Sequence, residues 1–343
     1  MTTTGQAVPI SAGSLLIHAF DGLALHQAVF AAAELGVADV LTGGPRSVTE
    51  LAIALNVHEP SLYRVLRLLA SQGIFAELSP RSFSNTDASN ALRTGVPGSM
   101  RSMARFRGTD FFYRPFGEIL YSLQTGHPAR SKVLGMDGWE YLRRNPEVAA
   151  IFDDAMTDFA SVAAPAIATA YDFSQWDSIM DVGGGNGVLL AAILQAHPDL
   201  RGVLADRPHV LVRARERGFL AGKLQARSSM QDCDFFSEVP AGCHAYLLKS
   251  VIHDWNDDDA HSILSNCRKA TPSNGALLLI EWTLSDANAP SRAKFADVTM
   301  MLLTGGRERT IEEYRALLEG AGFRLNEVVP TAAELNVIEA TPV

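Results

Sequence analysis

The stretch Met180–Gly187, which reads Met-Asp-Val-Gly-Gly-Gly-Asn-Gly, constrains the fold of this 343-residue chain more than any other. A short apolar run precedes its glycines, and a periodic apolar segment, Val188–Leu194, follows the last one. Where a strand turns into a helix through glycines, a ligand can approach the backbone closely, because glycine has no Cβ and accepts a positive φ. The pattern predicts a strand, a ligand-binding turn and a helix, in that order.

Two ligand classes fit such a turn, dinucleotides and S-adenosylmethionine, and the glycine spacing separates them. The dinucleotide fingerprint G-x-G-x-x-G would need Gly or Ala at position 188, where this chain has Val188. A carboxylate just before the glycines is badly placed for a pyrophosphate and well placed for an ammonium group. The sequence therefore favours a ligand with an amino-acid end, although a merely tight turn would need only one or two glycines. The candidate contacts are Asp181, Gly183, Gly185 and Gly187.

The length and composition are those of a globular protein with about two domains. The chain is 47% hydrophobic and 20% charged, and its net charge is -9. An acidic chain is a poor match for a polyanion, so we expect no nucleic-acid partner. We also find no uninterrupted apolar run of the roughly 18 residues that would span a bilayer, and we expect no membrane partner.

The N terminus and the cysteines indicate a cytoplasmic location. The first residues, Met1–Ala7, carry no basic side chain, so a signal peptide is not expected. The cysteines Cys233, Cys243 and Cys267 form no C-x-x-C pair. They read as reduced thiols without a role as metal ligands or nucleophiles.

The first hundred residues carry the pattern of a winged helix. Ser47 and Glu50 form a capping box at the start of one helix, and Pro60 stands near the first position of the next. Two short β segments, 75–78 and 81–84, then flank a Ser-Pro turn. Helix, turn, helix and hairpin in this order predict a mostly helical winged-helix domain.

Winged helices often bind DNA, so that function has to be weighed against dimerisation. The second helix offers only Arg64 and Arg67 among apolar residues, and the neutralisation of phosphates usually needs a larger basic patch. The preceding segment Ser14–Leu41 is too apolar for a lone surface helix. We therefore predict a homodimer formed through residues 1–100.

The rest of the chain divides into a helical region, 101–170, and an α/β domain, 171–343. The final pair of strands should form an antiparallel hairpin at the sheet edge, and the remaining pattern predicts a doubly wound, Rossmann-like parallel sheet. The predicted strands are 178–182, 201–205, 224–228, 244–249, 275–281, 323–329 and 334–340. The predicted helices are 187–197, 208–218, 257–270 and 311–321.

Polar residues at strand ends are candidate contacts for the cofactor, because open α/β sheets bind ligands at the carboxyl ends of their strands. Asp206 ends the second strand about 20 residues past the glycine turn, where an acid can bond to both ribose hydroxyls. Its alternative role is a cap for the next helix. Asp234 and Phe235 follow the third strand and could bind and stack on an adenine, or could be turn and core residues. Lys249 closes the fourth strand.

His253 lies in a loop beyond Lys249 and is the candidate general base, since a neutral imidazole suits proton removal from a hydroxyl. Asp254 follows it directly, and Glu281, expected to be half buried, ends the fifth strand. Glu308 lies between two arginines, so a surface salt bridge is its alternative role. The acidic run 256–259 reads as a helix cap and first turn, and we predict no metal site.

The helical region is rich in aromatic and methionine side chains, most of which read as ordinary core. Phe152, Met156 and Phe159 recur at i, i+4 and i+7, so they share one helix face. That face could line an apolar binding site.

Together these motifs resemble the plant-type, S-adenosylmethionine-dependent small-molecule O-methyltransferases, in their bacterial natural-product branch. The resemblance covers nearly the whole chain. The runs 181–187, 205–210, 234–236 and 249–255 are similar to the family's glycine, ribose, adenine and catalytic-histidine motifs. Any one of these motifs is moderately specific, and in this order they are highly specific.

The resemblance implies a metal-independent O-methyltransferase of antibiotic or other secondary metabolism. It implies S-adenosylmethionine as the cofactor and an aromatic or polyketide-type small molecule with a phenolic hydroxyl as the acceptor. It also implies that His253 is the base, that Glu281 and Glu308 flank it, and that Phe152, Met156 and Met300 contact the acceptor.

Three positions depart from the family pattern. Arg207 stands where a Leu is usual, and Cys233 stands where a Gly often precedes the adenine acid. Phe159 replaces a polar contact of some plant members, which points to a more apolar acceptor. The alternative function is a regulator that binds S-adenosylmethionine or DNA, or a relative that has lost methyl transfer. The presence of His253 argues against the loss of methyl transfer.

Overall fold

The structure is a computed structural model that describes residues 12–343. The chain separates into two compact units, one ending at Gly108 and the other running from Thr109 to Val343. The finer division at residues 100 and 170 stays a prediction, and the leading residues Met1–Ala7 lie outside the described part.

The first unit has the predicted winged-helix arrangement. The Ser47 hydroxyl accepts from the Glu50 N–H, and the Glu50 carboxylate accepts from the Ser47 N–H, which confirms the capping box. The three strands pair antiparallel in the order β1-β3-β2. The elements are α1 (Ala12–Leu35), α2 (Val37–Val40), β1 (Arg46–Ser47), α3 (Val48–Leu55), α4 (Glu59–Ser71), β2 (Phe75–Ser79), β3 (Ser82–Asn85), α5 (Asp87–Asn90) and α6 (Arg101–Arg107).

The helix α1 presents large apolar side chains to solvent along its first half. Leu15 is 65% exposed, Phe20 72% and Leu23 56%. The 23 residues Gly13–Leu35 are also long and apolar enough to cross a membrane, by length and composition alone. Polar residues divide this helix, so it contains no uninterrupted apolar run of about 18 residues. Core helices and signal sequences meet the same weak criterion.

The second unit begins with five helices, which include the longest helix of the described chain. These are α7 (Asp110–Tyr113), α8 (Ile119–Thr125), α9 (Ala129–Leu134), α10 (Gly138–Arg144) and α11 (Pro146–Ala170). The longest, α11, carries Phe152, Met156 and Phe159. The region predicted to be helices joined by loops is therefore helical.

A seven-stranded sheet follows, in the order β6-β5-β4-β7-β8-β10-β9. The first five strands are parallel, and the last two form the predicted antiparallel hairpin at one edge. The strands are β4 (Ser178–Val182), β5 (Arg201–Asp206), β6 (Ser228–Asp232), β7 (Ala245–Lys249), β8 (Ala276–Glu281), β9 (Phe323–Pro330) and β10 (Asn336–Pro342). The helices are α12 (Val188–Ala196), α13 (Pro208–Arg217), α14 (Asp257–Ala270), α15 (Arg292–Leu303) and α16 (Ile311–Gly320).

The sheet is covered on both faces by buried apolar clusters. All six residues of β8 are buried, as is expected of a parallel strand that packs against helices on both sides. Strand order reverses at β4, which lies between β5 and β7, and such a reversal opens a crevice at the carboxyl ends of the strands. This crevice positions the candidate site.

Two predictions about this sheet were wrong. The third strand is Ser228–Asp232 and not 224–228, because Leu224 ends a short 3₁₀ helix and packs in the core. The strand itself is polar and lies at the sheet edge, where apolar side chains are not needed. Glu281 was expected to be half buried, but it is completely buried.

Candidate active site

The turn after β4 has the geometry that its glycines predict. Gly183, Gly185 and Gly187 have φ values of 72°, 59° and 79°, a left-handed region that strains other residues. A Cβ on Gly185 would meet nothing within 4 Å, so this part of the turn is open. A Cβ on Gly184 would lie 2.5 Å from Cγ of Asp181, so the turn can pack over that carboxyl only as glycine.

Asp181 is buried, and one of its carboxylate oxygens accepts no hydrogen bond. Its side chain is 1% exposed, and its Oδ2 has no hydrogen-bond partner. Burial, helped by the charge of Asp206, raises the pKa of Asp181 to about 7, while Lys249 acts in the opposite direction. A buried carboxylate without a partner is unfavourable, and a cationic ammonium group would supply what is missing. The residue therefore fits the amino-acid end of S-adenosylmethionine.

Asp206, at the end of β5, accepts a hydrogen bond from the glycine turn. Its Oδ2 accepts from the Gly185 N–H at 2.9 Å, and its Oδ1 accepts from the Arg207 N–H at 2.7 Å. Burial raises the pKa of this carboxyl. The N-cap of α13 is Arg207, and no side chain caps that helix, so the alternative role of Asp206 as its cap was wrong. Each carboxylate oxygen can accept a further hydrogen bond, which is compatible with the ribose role.

Asn186 links the turn to α11 through a contact that no sequence pattern predicts. Its Nδ2 donates to Oγ1 of Thr157 at 2.7 Å. Asp153, one turn earlier in α11, pairs with Arg213 of α13 at 2.5 Å. The helix α11, which carries the predicted acceptor-binding residues, therefore contacts both the glycine turn and α13.

The predicted adenine residues lie beside the glycine turn. A Cβ on Gly183 would be 3.5 Å from the ring of Phe235, so this ring faces the turn. The Oδ2 of Asp234 pairs with Nη1 of Arg207 at 2.9 Å, and its Oδ1 accepts from the Phe236 N–H at 3.2 Å. The unusual arginine at position 207 is therefore the ion-pair partner of the predicted adenine acid.

Lys249 lies between two buried carboxyl groups at the ends of three neighbouring strands. Its ammonium is 4.7 Å from the centre of the Phe159 ring. Burial lowers the pKa of Lys249 to about 8, and the charges of Glu281 and Asp181 act against this. Lys249 therefore interacts electrostatically both with Asp181, next to the glycine turn, and with Glu281, next to His253.

The structure brings His253, Glu281 and Glu308 together in one buried group. The Nδ1 of His253 lies 2.8 Å from Oε1 of Glu308 and 3.8 Å from Oε2 of Glu281. The other oxygen of Glu281 accepts from the N–H groups of Val251 and Ile252 at 3.1 and 2.9 Å. Glu281 therefore holds the backbone turn that presents His253.

Charges within this group change the pKa values of His253 and Glu281. Burial raises the pKa of Glu281 to about 7. Burial lowers the pKa of His253, but the charge of Glu281 and the hydrogen bond to Glu308 outweigh it and raise that pKa to about 10. A hydrogen between Nδ1 and Glu308 leaves Nε2 as the nitrogen that can exchange a proton with a ligand. Asp254, the predicted neighbour, is half buried and its charge favours the imidazolium.

The loop that carries Glu308 packs against the histidine turn. A Cβ on Gly306 would lie 2.1 Å from the carbonyl oxygen of His253, so only glycine permits this approach. The Glu308 N–H donates to Oδ1 of Asp297 at 3.0 Å. Glu308 is 1% exposed, so the alternative of a surface salt bridge was wrong.

The predicted acceptor-binding residues lie near this group. Phe159 packs on Trp282 at 5.5 Å between ring centres, and Trp282 lies 6.4 Å from the His253 ring. Phe152 packs on Trp139 at 5.9 Å. The remaining two, Met156 on α11 and Met300 on α15, are partly buried.

One atom from each of His253, Glu281 and Glu308 lies within 4.8 Å of the others, a spacing that could hold a metal ion. Nδ1 of His253 contacts Oε1 of Glu308, and Oε1 of Glu281 accepts two N–H groups. Oε2 of Glu281 and Oε2 of Glu308 have no hydrogen-bond partner. The contact between His253 and Glu308 is one that can hold a proton.

Comparison with known proteins identifies the family. An O-methyltransferase domain matches residues 117–324, and an O-methyltransferase dimerisation domain matches residues 17–95. The chain belongs to the O-methyltransferase family. This enzyme is 38% identical to the phenazine O-methyltransferase PhzM of Lysobacter antibioticus, over the whole of both chains.

Other relatives agree. The mitomycin biosynthesis 6-O-methyltransferase of Streptomyces lavendulae is 36% identical over 97% of this chain and 94% of the relative. The solved structure of CalO1, a methyltransferase in calicheamicin biosynthesis with S-adenosylhomocysteine bound, is 32% identical with a TM-score of 0.86. It covers 98% of this chain and 100% of that one. The cofactor of this O-methyltransferase is S-adenosylmethionine, as the glycine spacing predicts, and the Rossmann-like fold is confirmed.

Proposed function

We propose that this enzyme transfers a methyl group from S-adenosylmethionine to a phenolic hydroxyl of an aromatic or polyketide-type small molecule, with His253 as general base and without a metal. The observation that carries the proposal is the 2.8 Å contact between Nδ1 of His253 and the buried Glu308. It fixes the ring and leaves Nε2 free to accept the hydroxyl proton.

Bound S-adenosylmethionine supplies an electrophilic methyl group, so the protein has to position the acceptor and remove its proton. Nε2 of His253 takes the proton from the acceptor hydroxyl, a contribution of about 10²–10⁴-fold for a positioned base. Glu308 and Glu281 stabilise the imidazolium that results. The apolar side chains that hold the flat acceptor come from α11 and α15, and they are Phe152, Met156, Phe159 and Met300.

The cofactor would be held along the carboxyl edge of the sheet. Asp181 takes the ammonium group, and its unpartnered oxygen supports this role. Asp206 takes the ribose hydroxyls, Asp234 takes the adenine amino group, and Phe235 packs against the adenine ring. Lys249 contacts the cofactor from the end of β7. The open face of the turn at Gly185 leaves room for the cofactor chain.

We further propose a cytoplasmic homodimer formed through residues 1–100. The apolar side chains exposed along α1, such as Phe20 at 72%, support this assembly. The match of residues 17–95 to a dimerisation domain supports it as well. Relatives named for phenazine and mitomycin support an aromatic acceptor and a role in antibiotic biosynthesis.

The test is incubation of the protein with S-adenosylmethionine and a panel of phenols, naphthols and hydroxylated polyketides, with mass spectrometry to detect product. We expect at least one acceptor to gain one methyl group on oxygen. Binding of S-adenosylmethionine with no methylated product from any acceptor would favour the regulator alternative.

A further inference from the structure

Arg130 is a buried cation for which the described part of the chain provides no ion-pair partner. It lies in α9 and is 5% exposed. Its Nε is buried and has no hydrogen-bond partner, and no described carboxylate forms an ion pair with its guanidinium. The guanidinium carbon lies 4.5 Å above the centre of the Phe111 ring, which itself stacks on Tyr141.

A second buried arginine shows how this fold normally satisfies such a group. Arg309 is 1% exposed, and its guanidinium donates to Oδ1 of Asp257 at 3.0 and 2.8 Å. It also donates to the carbonyl oxygens of Ile252 and Trp255 at 3.2 and 2.9 Å. Because buried charges are normally paired and hydrogen-bonded, the difference at Arg130 calls for a partner that residues 12–343 do not supply.

The two carboxyl groups that act electrostatically on Arg130 do not form an ion pair with it. Asp254 and Asp137 both favour its charged form, yet burial outweighs them and lowers the pKa of Arg130 to about 10. Asp137 is already engaged, since its Oδ1 accepts the N–H groups of Trp139 and Glu140 at the start of α10.

The position of Arg130 connects it to the acceptor side of the active site. A Cβ on Gly138 would lie 2.5 Å from Nε of Arg130, so the guanidinium packs directly on the start of α10. The next residue, Trp139, packs on Phe152 at 5.9 Å and on Trp255 at 6.3 Å. Trp255 lies two residues after His253 in the same loop.

We propose that Arg130 binds a carboxylate group of the acceptor, which makes the acceptor a hydroxylated aromatic acid. This inference rests on the proposed methyl transfer and names the substrate class for the same site. The guanidinium packs over the Phe111 ring, and its planar fork of donors matches a carboxylate through two parallel hydrogen bonds. The bound carboxylate also supplies the negative charge that the buried cation lacks.

The first test compares two unreactive probes that differ only in charge, 1-naphthoate and 1-naphthamide. The full-length protein is saturated with S-adenosylhomocysteine, and binding is followed through tryptophan fluorescence. We expect the wild type to bind the naphthoate at least about tenfold more tightly, and Arg130→Met to lose this preference while it keeps its affinity for S-adenosylhomocysteine. Arg143→Met, at an exposed position of α10, serves as the control and should keep the preference.

The second test separates a ligand-binding arginine from a structural one. Without ligand, Arg130→Met should have a Tm equal to or above that of the wild type, because an apolar side chain replaces an unpaired buried charge. Arg309→Met should lower the Tm, because its hydrogen bonds are lost. A lower Tm or a loss of oligomeric state in Arg130→Met would show that a protein group pairs with this arginine, and would overturn the proposal.

The remaining outcomes are also decisive. A wild type with no preference for the naphthoate, including one that binds neither probe, overturns the carboxylate site, and so does an unchanged preference in Arg130→Met. These results would leave methylation of neutral phenols intact. Failure of the proposed function would instead appear as no methylation in the acceptor panel, whichever probe binds.

Discussion

Nδ1 of His253 lies 2.8 Å from Oε1 of Glu308, and both side chains are buried at the carboxyl edge of the sheet. This contact fixes the orientation of the imidazole and decides which of its nitrogens can meet an acceptor. Glu281 adds a second carboxyl at 3.8 Å and holds the backbone of the same turn.

The pH profile should reflect the raised pKa of the histidine. Burial lowers this pKa, but Glu281 and Glu308 raise it from 6.5 to about 10. Because only the neutral imidazole accepts a proton, kcat/KM for the acceptor should rise with pH above neutrality. Glu308→Gln removes one of the raising charges, so its profile should shift to lower pH on the same acceptor. An unshifted profile in Glu308→Gln would rule out this coupling.

Turnover should not require a metal ion. Nδ1 of His253 is engaged by Glu308, and Oε1 of Glu281 accepts two backbone N–H groups, so the proposed mechanism uses this group to hold a proton. We expect the same rate with EDTA present as without it, measured as product formed under saturating S-adenosylmethionine. Loss of turnover in EDTA and its return with added magnesium would contradict the proposed mechanism.

Replacement of Asp181 by Asn should weaken the binding of S-adenosylmethionine. Hydrogen bonds to charged groups contribute about 1.5–3 kcal/mol, which corresponds to about 10–150-fold in Kd. Calorimetry should show this loss for Asp181→Asn and little change for Asp232→Asn, at an exposed position of the edge strand. The wild type should show no measurable affinity for NAD, and tighter binding of NAD than of S-adenosylmethionine would refute the cofactor assignment.

The dimer should depend on the apolar face of α1. Phe20→Glu together with Leu23→Glu places two charges where side chains are 72% and 56% exposed. Light scattering should show a homodimer for the wild type and a smaller species or aggregate for this double variant. Val212→Glu, at an exposed position of α13, should remain dimeric. An active monomer as the wild-type species would disprove the assembly.

Most of the sheet could be predicted from the sequence because buried parallel strands consist of short runs of apolar residues. The residues at their ends could therefore be located, and Asp206, Lys249 and Glu281 all lie where their strands end. The edge strand Ser228–Asp232 was misplaced because it is polar, so its apolar neighbour Leu224 gave the stronger signal.

Other parts of the site could not be predicted because they depend on contacts between distant segments. Glu308 lies between two arginines and looks like a surface residue, yet the close approach of Gly306 to His253 buries it. The link between Asn186 and Thr157 joins residues 29 positions apart. No local sequence pattern distinguishes Arg130 from the other arginines. Its distinguishing feature is burial without an ion-pair partner among the described residues, which only the structure reveals.

The most direct test is the turnover of His253→Ala on a series of phenols with different hydroxyl pKa values. Loss of the base should lower turnover by about 10²–10⁴-fold, or about 3–5 kcal/mol of barrier, on a phenol of pKa near 10. The defect should shrink for acidic phenols, which are already ionised, while affinity for S-adenosylhomocysteine stays nearly unchanged. Glu281→Gln and Glu308→Gln should give smaller losses. A His253→Ala enzyme that stays within a few-fold of wild type on the phenol of pKa near 10 would show that His253 is not the base.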